Sequence, residues 1–284
     1  MLVVEIKRGT VTRIAADGTT SVLAETGGGP NGAAVGPDGA LYVCNNGGFS
    51  WSVRGGMTAP GPQPEGYIGG RIQRVTFDGE VTDLYTHVGE HGLRGPNDLV
   101  FDAHGGFWFT DMGKSRPRDT DLGGLYYARA DGSEIVEVVH PLQAPNGVGL
   151  SPAGDRVYVA ETITGRLWAW ELTGPGQVRL DPASPARHGG TLVHGFPGWQ
   201  WLDSMAVDED GNVCVATLYS GGVSVVSPDG ELLDFVPVPE EDPFVTNVCF
   251  GGPDLRTAYV TSSGRGVLYA VPWKAAGLPL AHTA

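Results

Sequence analysis

A short phrase recurs five times along this chain of 284 residues, and each copy stands at the same point of a longer repeat. The copies are centred on an Asn or an Asp: Asn31, Asn97, Asn146, Asp203 and Asn247. The first three read Pro-Asn-Gly or Pro-Asn-Asp, and the last two are degenerate. Successive copies are roughly 50 residues apart on average, and self-similarity at this period indicates an array of like structural units.

Strand signals follow each phrase in a fixed order. After Asn97, an apolar run at 99–101 leads through a Gly-containing turn to a second run at 107–109, and a third run opens on Gly124. Most repeats add a further turn and a fourth run, and four antiparallel strands per repeat are typical of a β-propeller blade. Residues 1–28 match the second, third and fourth runs of a sixth unit.

The repeat therefore predicts an all-β fold. We expect a six-bladed β-propeller of four-stranded antiparallel blades, which forms a single domain over residues 1–284. The first blade lacks its innermost strand in this reading. We expect either that the last residues, 277–284, fill that gap imperfectly or that the given start lies downstream of the natural one.

Composition excludes several classes of partner. The formal charge is −14, whereas nucleic acids and anionic membranes require a basic face. The N-terminal residues have no signal-peptide pattern, and no apolar segment approaches the ~20 residues of a membrane span. We expect a cytoplasmic monomer or small homo-oligomer that acts on a small molecule, with no nucleic acid or membrane partner.

The recurring Asn and Asp residues are the candidate chemistry. If the repeats surround an axis, these side chains converge at one mouth of the central channel. Oxygens from Asn97, Asn146 and Asp203 would suit a hard divalent cation. The alternative is that the Pro-Asn phrases are only turn formers.

Four segments carry a family resemblance: Arg94-Gly-Pro-Asn-Asp, Ala144-Pro-Asn-Gly, Leu202-Asp-Ser-Met-Ala-Val-Asp and Thr246-Asn-Val-Cys-Phe-Gly-Gly-Pro-Asp. Together they resemble the SMP-30/gluconolactonase/luciferin-regenerating-enzyme family. The resemblance implies a six-bladed propeller with one catalytic divalent cation on its axis. It implies cation ligands at Asn146 and Asp203, and an Asn at position 97 against the cation or the substrate.

The chain departs from the family pattern at one ligand. The resemblance implies a Glu in a Pro-Glu-Gly-Pro-like phrase that opens the first blade, and this sequence has no such phrase. Glu5 and Glu25 are the possible substitutes near strand ends. Loss of an anionic ligand would weaken the binding of a divalent cation.

The resemblance leads to a functional expectation. We expect a metal-dependent hydrolase of a small lactone, similar to gluconolactonases, in which the cation polarises the carbonyl and Asp203 is the catalytic residue that activates water. Calcium is the favoured cofactor, with Zn²⁺, Mg²⁺ and Mn²⁺ as alternatives. The other hypotheses are a non-hydrolytic ligand-binding propeller with a decayed site, and another metal-assisted reaction such as phosphotriester hydrolysis or isomerisation.

Residues around the channel mouth are expected to contact the substrate. Asn97, Asn31 and Asn247 would face it from the inner strands. Two long inserts, at 45–67 and 110–122, leave second strands and are candidates for a lid. Trp51 in the first insert, and Trp199 shortly before Asp203, are the predicted aromatic contacts.

Overall fold

The computed structural model describes residues 1–282, and all regular elements in that range are strands. The strands form six antiparallel sheets that surround an axis as the blades of a six-bladed β-propeller, which confirms the predicted fold. Two separate two-stranded hairpins lie outside the blades. Within residues 1–282, no helix is long and apolar enough to cross a membrane.

The first three sheets are built from the N-terminal half of the chain. Sheet 1 contains β1 (Leu2–Glu5), β2 (Thr10–Ile14) and β3 (Thr20–Glu25). Sheet 2 contains β4 (Pro30–Val35), β5 (Leu41–Asn45), β8 (Arg71–Val75) and β9 (Val81–Tyr85). Sheet 3 contains β12 (Pro96–Phe101), β13 (Gly106–Asp111), β14 (Gly123–Arg129) and β15 (Ile135–Leu142). The hairpins are β6 (Trp51–Arg54) with β7 (Met57–Pro60), and β10 (His87–Val88) with β11 (His91–Gly92).

The remaining sheets follow in chain order. Sheet 4 contains β16 (Pro145–Leu150), β17 (Arg156–Glu161), β18 (Arg166–Gly174), β19 (Gln177–Arg179) and β20 (Thr191–Gly195), with β19 and β20 both paired to β18. Sheet 5 contains β21 (Trp201–Val207), β22 (Val213–Leu218), β23 (Gly222–Val226) and β24 (Leu232–Pro237). Sheet 6 contains β25 (Val245–Gly251), β26 (Thr257–Ser262) and β27 (Val267–Pro272).

Sheets 1 and 6 have three strands each, which agrees with the prediction for sheet 1 but is one fewer than the four predicted for sheet 6. In sheet 1, β1 lies beside β4, which is the inner strand of sheet 2. In the same way, β5, which is the second strand of sheet 2, lies beside β12, the inner strand of sheet 3. β1 is therefore a second strand, which confirms that no inner strand of this blade is present among residues 1–282. In sheet 6, Pro272 ends β27 and the chain leaves the sheet, so residues 273–282 add no fourth strand.

The core consists of five apolar clusters, each of which joins one sheet to the next. They link sheets 1 and 2, 2 and 3, 3 and 4, 4 and 5, and 5 and 6. No such cluster of described residues joins sheet 6 to sheet 1. At that seam, the Thr58 amide of the β6–β7 hairpin donates to the Gly264 carbonyl, 3.1 Å away, so the hairpin from sheet 2 reaches across to sheet 6.

The C-terminal segment does not fill the gap in sheet 1. The Leu278 amide donates to the Val207 carbonyl at the far end of β21, at 2.9 Å. The His282 ring lies edge-on to Phe101 at the far end of β12, with ring centroids 5.4 Å apart. The segment therefore crosses the end of the propeller opposite to the recurring phrases. Residues 283 and 284 lie outside the described range.

Candidate active site

The recurring phrases begin the inner strands and do not form turns. The Pro residues of three copies pair with the last residue of the adjacent second strand: Pro30 with Asn45, Pro96 with Asp111, and Pro145 with Glu161. Because paired strands are antiparallel, the start of each inner strand meets the end of each second strand at one face of the propeller. We call this the upper face.

Polar residues at the ends of the second strands fix the backbone just before each phrase. The Asp111 carboxylate accepts hydrogen bonds from the amides of Arg94 and Gly95, both at 2.7 Å. Glu161 accepts from the Gln143 amide at 2.7 Å, and Asn45 accepts from the Gly29 amide at 2.9 Å. Buried backbone donors need such partners. Sequence reasoning missed these residues, although each is a polar residue that ends an apolar run.

The Gly that follows Asn in the phrase is required by close approach of neighbouring inner strands. A Cβ at Gly147 would lie 2.6 Å from the Asp203 carbonyl oxygen, and a Cβ at Gly32 would lie 2.6 Å from the Asn97 carbonyl oxygen. Contacts this short are sterically excluded. The phrase therefore brings the backbones of consecutive inner strands together, and with them the side chains that begin those strands.

Asn97 and Asn146 present unpaired amide oxygens. The Asn97 Nδ2 donates to the Met112 sulfur at 3.0 Å, and the Asn146 Nδ2 donates to the Thr162 hydroxyl at 3.1 Å. The Oδ1 atoms of both residues are buried and have no hydrogen-bond partner among the described residues. A buried acceptor without a donor costs on the order of 1–3 kcal/mol, and native proteins contain few of them.

Asp203 lies beside Asn146 in an environment that disfavours its charge. The half-buried carboxyl receives the Ser204 amide at 3.0 Å, and the Asn146 side chain is within hydrogen-bonding reach. Burial nevertheless raises the pKa of Asp203 to about 8, and the nearby charge of Asp98 adds to the effect. A cation at this point would relieve the cost of ionising the carboxyl.

Asp98 is a second buried carboxyl on the axis, and the sequence did not single it out. It accepts a hydrogen bond from the Leu99 amide at 2.9 Å and faces the Ser204 hydroxyl and the amides of Val148 and Met205. Burial raises the pKa of Asp98 to about 7. Its contacts connect the inner strands of sheets 3, 4 and 5 directly beside the candidate ligands.

The other predicted contacts occupy the same face at different places. Asn31 and Asn247 are half-buried on the inner strands β4 and β25. Trp51 belongs to the β6–β7 hairpin, with its ring 6.4 Å from that of Phe49. Trp199 precedes β21 and is 73% exposed.

The proposed substitutes for the first-blade Glu do not face the axis. Glu5 ends β1 and forms an ion pair with Arg8 at 2.8 Å, and it also accepts hydrogen bonds from Thr10 and Thr12. Glu25 is exposed at the end of the outermost strand β3. Neither carboxylate joins the three candidate ligands.

The two inserts form one unit through a buried lysine. The Lys114 ammonium donates to the Gly48 carbonyl at 2.8 Å and to Asn46 Oδ1 at 3.2 Å, and it lies 3.7 Å from the centre of the Phe49 ring. Burial lowers the pKa of Lys114 to about 7. Arg116 of the second insert pairs with Asp121 of its own loop and also donates to Gln63 Oε1 of the first insert at 3.4 Å.

The donor set fits a hard cation but is short of anionic ligands. No group of three or more His, Cys, Asp or Glu side chains in the described part of the chain could hold a metal ion. The candidate set instead combines two amide oxygens without donors and one carboxyl. Oxygen-only ligands of this kind are the chemistry that Ca²⁺ and Mg²⁺ require.

Comparisons with known proteins agree with this architecture. Residues 1–264 match the family profile described as SMP-30/Gluconolactonase/LRE-like region. The lactonase drp35 of Staphylococcus epidermidis is 31% identical over 214 residues, which cover 75% of this chain and 58% of that protein. The chain thus spans less than two thirds of the length of the curated relatives that it matches.

Solved structures show the same fold. A gluconolactonase from Xanthomonas campestris superposes with a TM-score of 0.72 at 23% identity, over 95% of this chain and 80% of that chain. The calcium-binding protein regucalcin from Agrobacterium tumefaciens superposes with a TM-score of 0.74 at 18% identity, over 98% of this chain and 88% of that chain. At this level of identity, the likeness establishes the propeller architecture alone.

Proposed function

Because this chain belongs to the SMP-30/gluconolactonase/LRE-like family, we propose that it hydrolyses a small lactone at a divalent-cation site formed by Asn97, Asn146 and Asp203. One observation carries the proposal. Two buried amide oxygens without donors and a carboxyl with a raised pKa begin three consecutive inner strands at one end of the channel. A cation would satisfy all three groups together.

Asp203 has the chemistry of a general base. Burial raises the pKa of its carboxyl in the metal-free protein, and a bound cation would favour the ionised form, which is the form that accepts a proton. In the proposed reaction Asp203 accepts a proton from the attacking water, whose oxygen forms a bond to the lactone carbonyl carbon. The bond from that carbon to the ring oxygen breaks, and the ring oxygen leaves as an alcohol after it accepts a proton. A divalent cation, when bound, would polarise the carbonyl and stabilise the charge that develops on its oxygen.

Contacts around the channel mouth would orient the substrate. Asn31 and Asn247 lie near the starts of the inner strands β4 and β25, and their side-chain amides could donate to the ring oxygen or a substituent oxygen of a lactone. Trp51 and Trp199 supply apolar surface at the rim. Calcium is the preferred cation, because a neutral amide-rich oxygen set suits its flexible coordination, and the relative described as regucalcin binds calcium.

Turnover of a lactone panel tests the proposal. Hydrolysis of δ-gluconolactone and δ-valerolactone is followed with a pH-stat after removal of metal, with and without added CaCl₂. We expect cation-dependent turnover that falls at least about 100-fold in Asp203→Asn. Asp229→Asn is the matched control, since Asp229 is exposed in the turn between β23 and β24. Full activity of a folded Asp203→Asn protein would remove Asp203 from the mechanism.

A second function is favoured by the state of Glu5. Because that carboxylate is tied to Arg8, Thr10 and Thr12, no anionic ligand from sheet 1 reaches the axis. A site with one carboxylate could bind a ligand without hydrolysing it. Normal Ca²⁺ binding in calorimetry, with no turnover of any lactone in the panel, would support this binding function over hydrolysis.

A further inference from the structure

Three aromatic rings form an exposed cluster beside the candidate active site. We name Trp199, Trp201 and Tyr219 the aromatic platform. The rings of Trp199 and Trp201 stack with centroids 6.0 Å apart and an interplanar angle of 26°. The Tyr219 ring stands edge-on to Trp201, with centroids 5.4 Å apart.

The platform adjoins the site through one strand. Trp201 begins β21 and lies two residues before Asp203, so the two side chains leave the same strand at the upper face. Tyr219 directly follows β22, whose last residue, Leu218, pairs with Trp201. The pairing of β21 with β22 therefore fixes the platform at the channel mouth, within one strand segment of the proposed base.

The platform residues are held in fixed positions, although their side chains contribute little to the core. Trp199 is 73% exposed and Tyr219 is 45% exposed, whereas rings that stabilise the fold are buried. Tyr219 has a φ of 66°, a left-handed conformation that is uncommon outside Gly. Its amide donates to the Pro243 carbonyl at 2.8 Å, which holds it there.

Hydrogen bonds also fix the residue between the two tryptophans. The Gln200 side-chain Nε2 donates to the Leu218 carbonyl at 2.5 Å, and the Gln200 Oε1 accepts from the Ser220 hydroxyl at 2.7 Å. The rings are thus held in position without being covered. Exposed, adjacent and oriented aromatic rings are a feature of ligand-binding surfaces, because ring faces gain contact area at small entropic cost.

From this arrangement we infer that the platform selects lactones with an extended apolar substituent, and this inference rests on the proposed lactone hydrolysis. The lactone ring would lie at Asp203, and the substituent would lie along the faces of Trp199 and Trp201. None of the platform side chains carries a charge, and the protein is acidic overall. Uncharged ring faces favour an uncharged substituent with a large apolar surface, so the inferred substrate class is an alkyl-substituted lactone.

Two lactones that differ only in the substituent test this inference. δ-Dodecalactone carries a heptyl chain that δ-valerolactone lacks. We expect the ratio of their kcat/KM values to fall about tenfold in Trp199→Ala, and to return toward the wild-type value in Trp199→Phe, which keeps a stacking ring. Because Trp199 is mostly exposed, its removal leaves the core intact. Phe77→Ala is the control, since Phe77 is 47% exposed in the turn between β8 and β9, at the opposite face.

A binding measurement separates failure of the platform from failure of the proposed reaction. The probe is the δ-lactam with the same heptyl substituent, titrated by calorimetry into wild type and Trp199→Ala. If neither lactone is hydrolysed but Trp199→Ala weakens lactam binding about tenfold, lactone hydrolysis is wrong and the platform stands. If the variant leaves both the kcat/KM ratio and lactam binding unchanged, or if wild type binds no lactam and shows no preference for δ-dodecalactone, the platform is refuted.

Discussion

Replacing Asp203 with Asn should stabilise the metal-free protein at alkaline pH. Burial raises the pKa of this carboxyl from 3.8 to about 8 in the folded state. A group with a raised folded pKa loses its stabilising contribution as pH rises, because the unfolded state ionises first. The loss extends from about pH 4 to pH 8 and is complete above that range. Asn cannot ionise, so Asp203→Asn lacks this loss.

The size of the effect follows from the pKa change. A rise of about four units at about 1.4 kcal/mol per unit gives roughly 6 kcal/mol for a fully buried group. Asp203 is only half-buried at the channel mouth, and water there reduces the penalty. We therefore expect a gain of about 3 kcal/mol for Asp203→Asn relative to wild type between pH 4 and pH 9.

Urea denaturation in a chelating buffer measures this difference at several pH values. Saturating CaCl₂ should then reverse the order at alkaline pH, because only wild type offers the carboxylate to the cation. Asp229→Asn should follow wild type throughout. A pH-independent difference, or an Asp203→Asn protein that is less stable than wild type at pH 9 without metal, would refute the electrostatic reasoning.

Three further perturbations test separate parts of the account. Asn97→Leu removes a buried oxygen without a donor, so the unfolding free energy of the metal-free variant should match that of wild type within about 1 kcal/mol in thermal unfolding. Its Ca²⁺ affinity in calorimetry should fall at least about tenfold, and unchanged affinity would exclude Asn97 as a ligand. Gly147→Ala places a Cβ 2.6 Å from a backbone oxygen, so the free energy of unfolding should fall by about 1–3 kcal/mol in denaturation curves. Gly195→Ala, with open space around it, should leave stability nearly unchanged. Equal effects of the two substitutions would contradict the close-approach argument. The pKa of Lys114 falls from 10.5 to about 7 on folding, so the unfolded state binds more protons and the free energy of unfolding should rise from about pH 7 to pH 10. Lys114→Met should remove this rise in denaturation curves. The same dependence of stability on pH in the variant would show that the ammonium is not desolvated.

The repeat was sufficient to predict the blades because its signals are local. The recurring Asn or Asp is the second or third residue of each inner strand that is present, and the first sheet lacks an inner strand among the described residues, as the register of residues 1–28 predicted. Alternation of apolar residues and Gly-containing turns determines such pairing within a few residues along the chain.

Contacts between blades were not predictable in the same way. Lys114, which follows β13 of sheet 3, is buried under a loop that follows β5 of sheet 2 and begins more than 60 residues earlier. The phrase was weighed as a turn former, but Gly147 is required by the approach of another strand. The apolar run around Cys249 predicts a buried thiol, but Cys249 is exposed, because no apolar cluster of described residues covers sheet 6 on the side of sheet 1. Such properties depend on which elements meet in space, and a single strand pattern does not encode them.

The dependence of lactone hydrolysis on a titrated cation tests the central claim most directly. Metal-free wild type and Asp203→Asn are assayed on δ-gluconolactone and δ-dodecalactone across a CaCl₂ series, and Ca²⁺ binding is measured on the same preparations. We predict that wild-type turnover rises from background and saturates at the calcium concentration that saturates binding, while Asp203→Asn stays at background. Turnover that is equal with and without cation, in a protein that binds calcium at Asp203, would contradict the account.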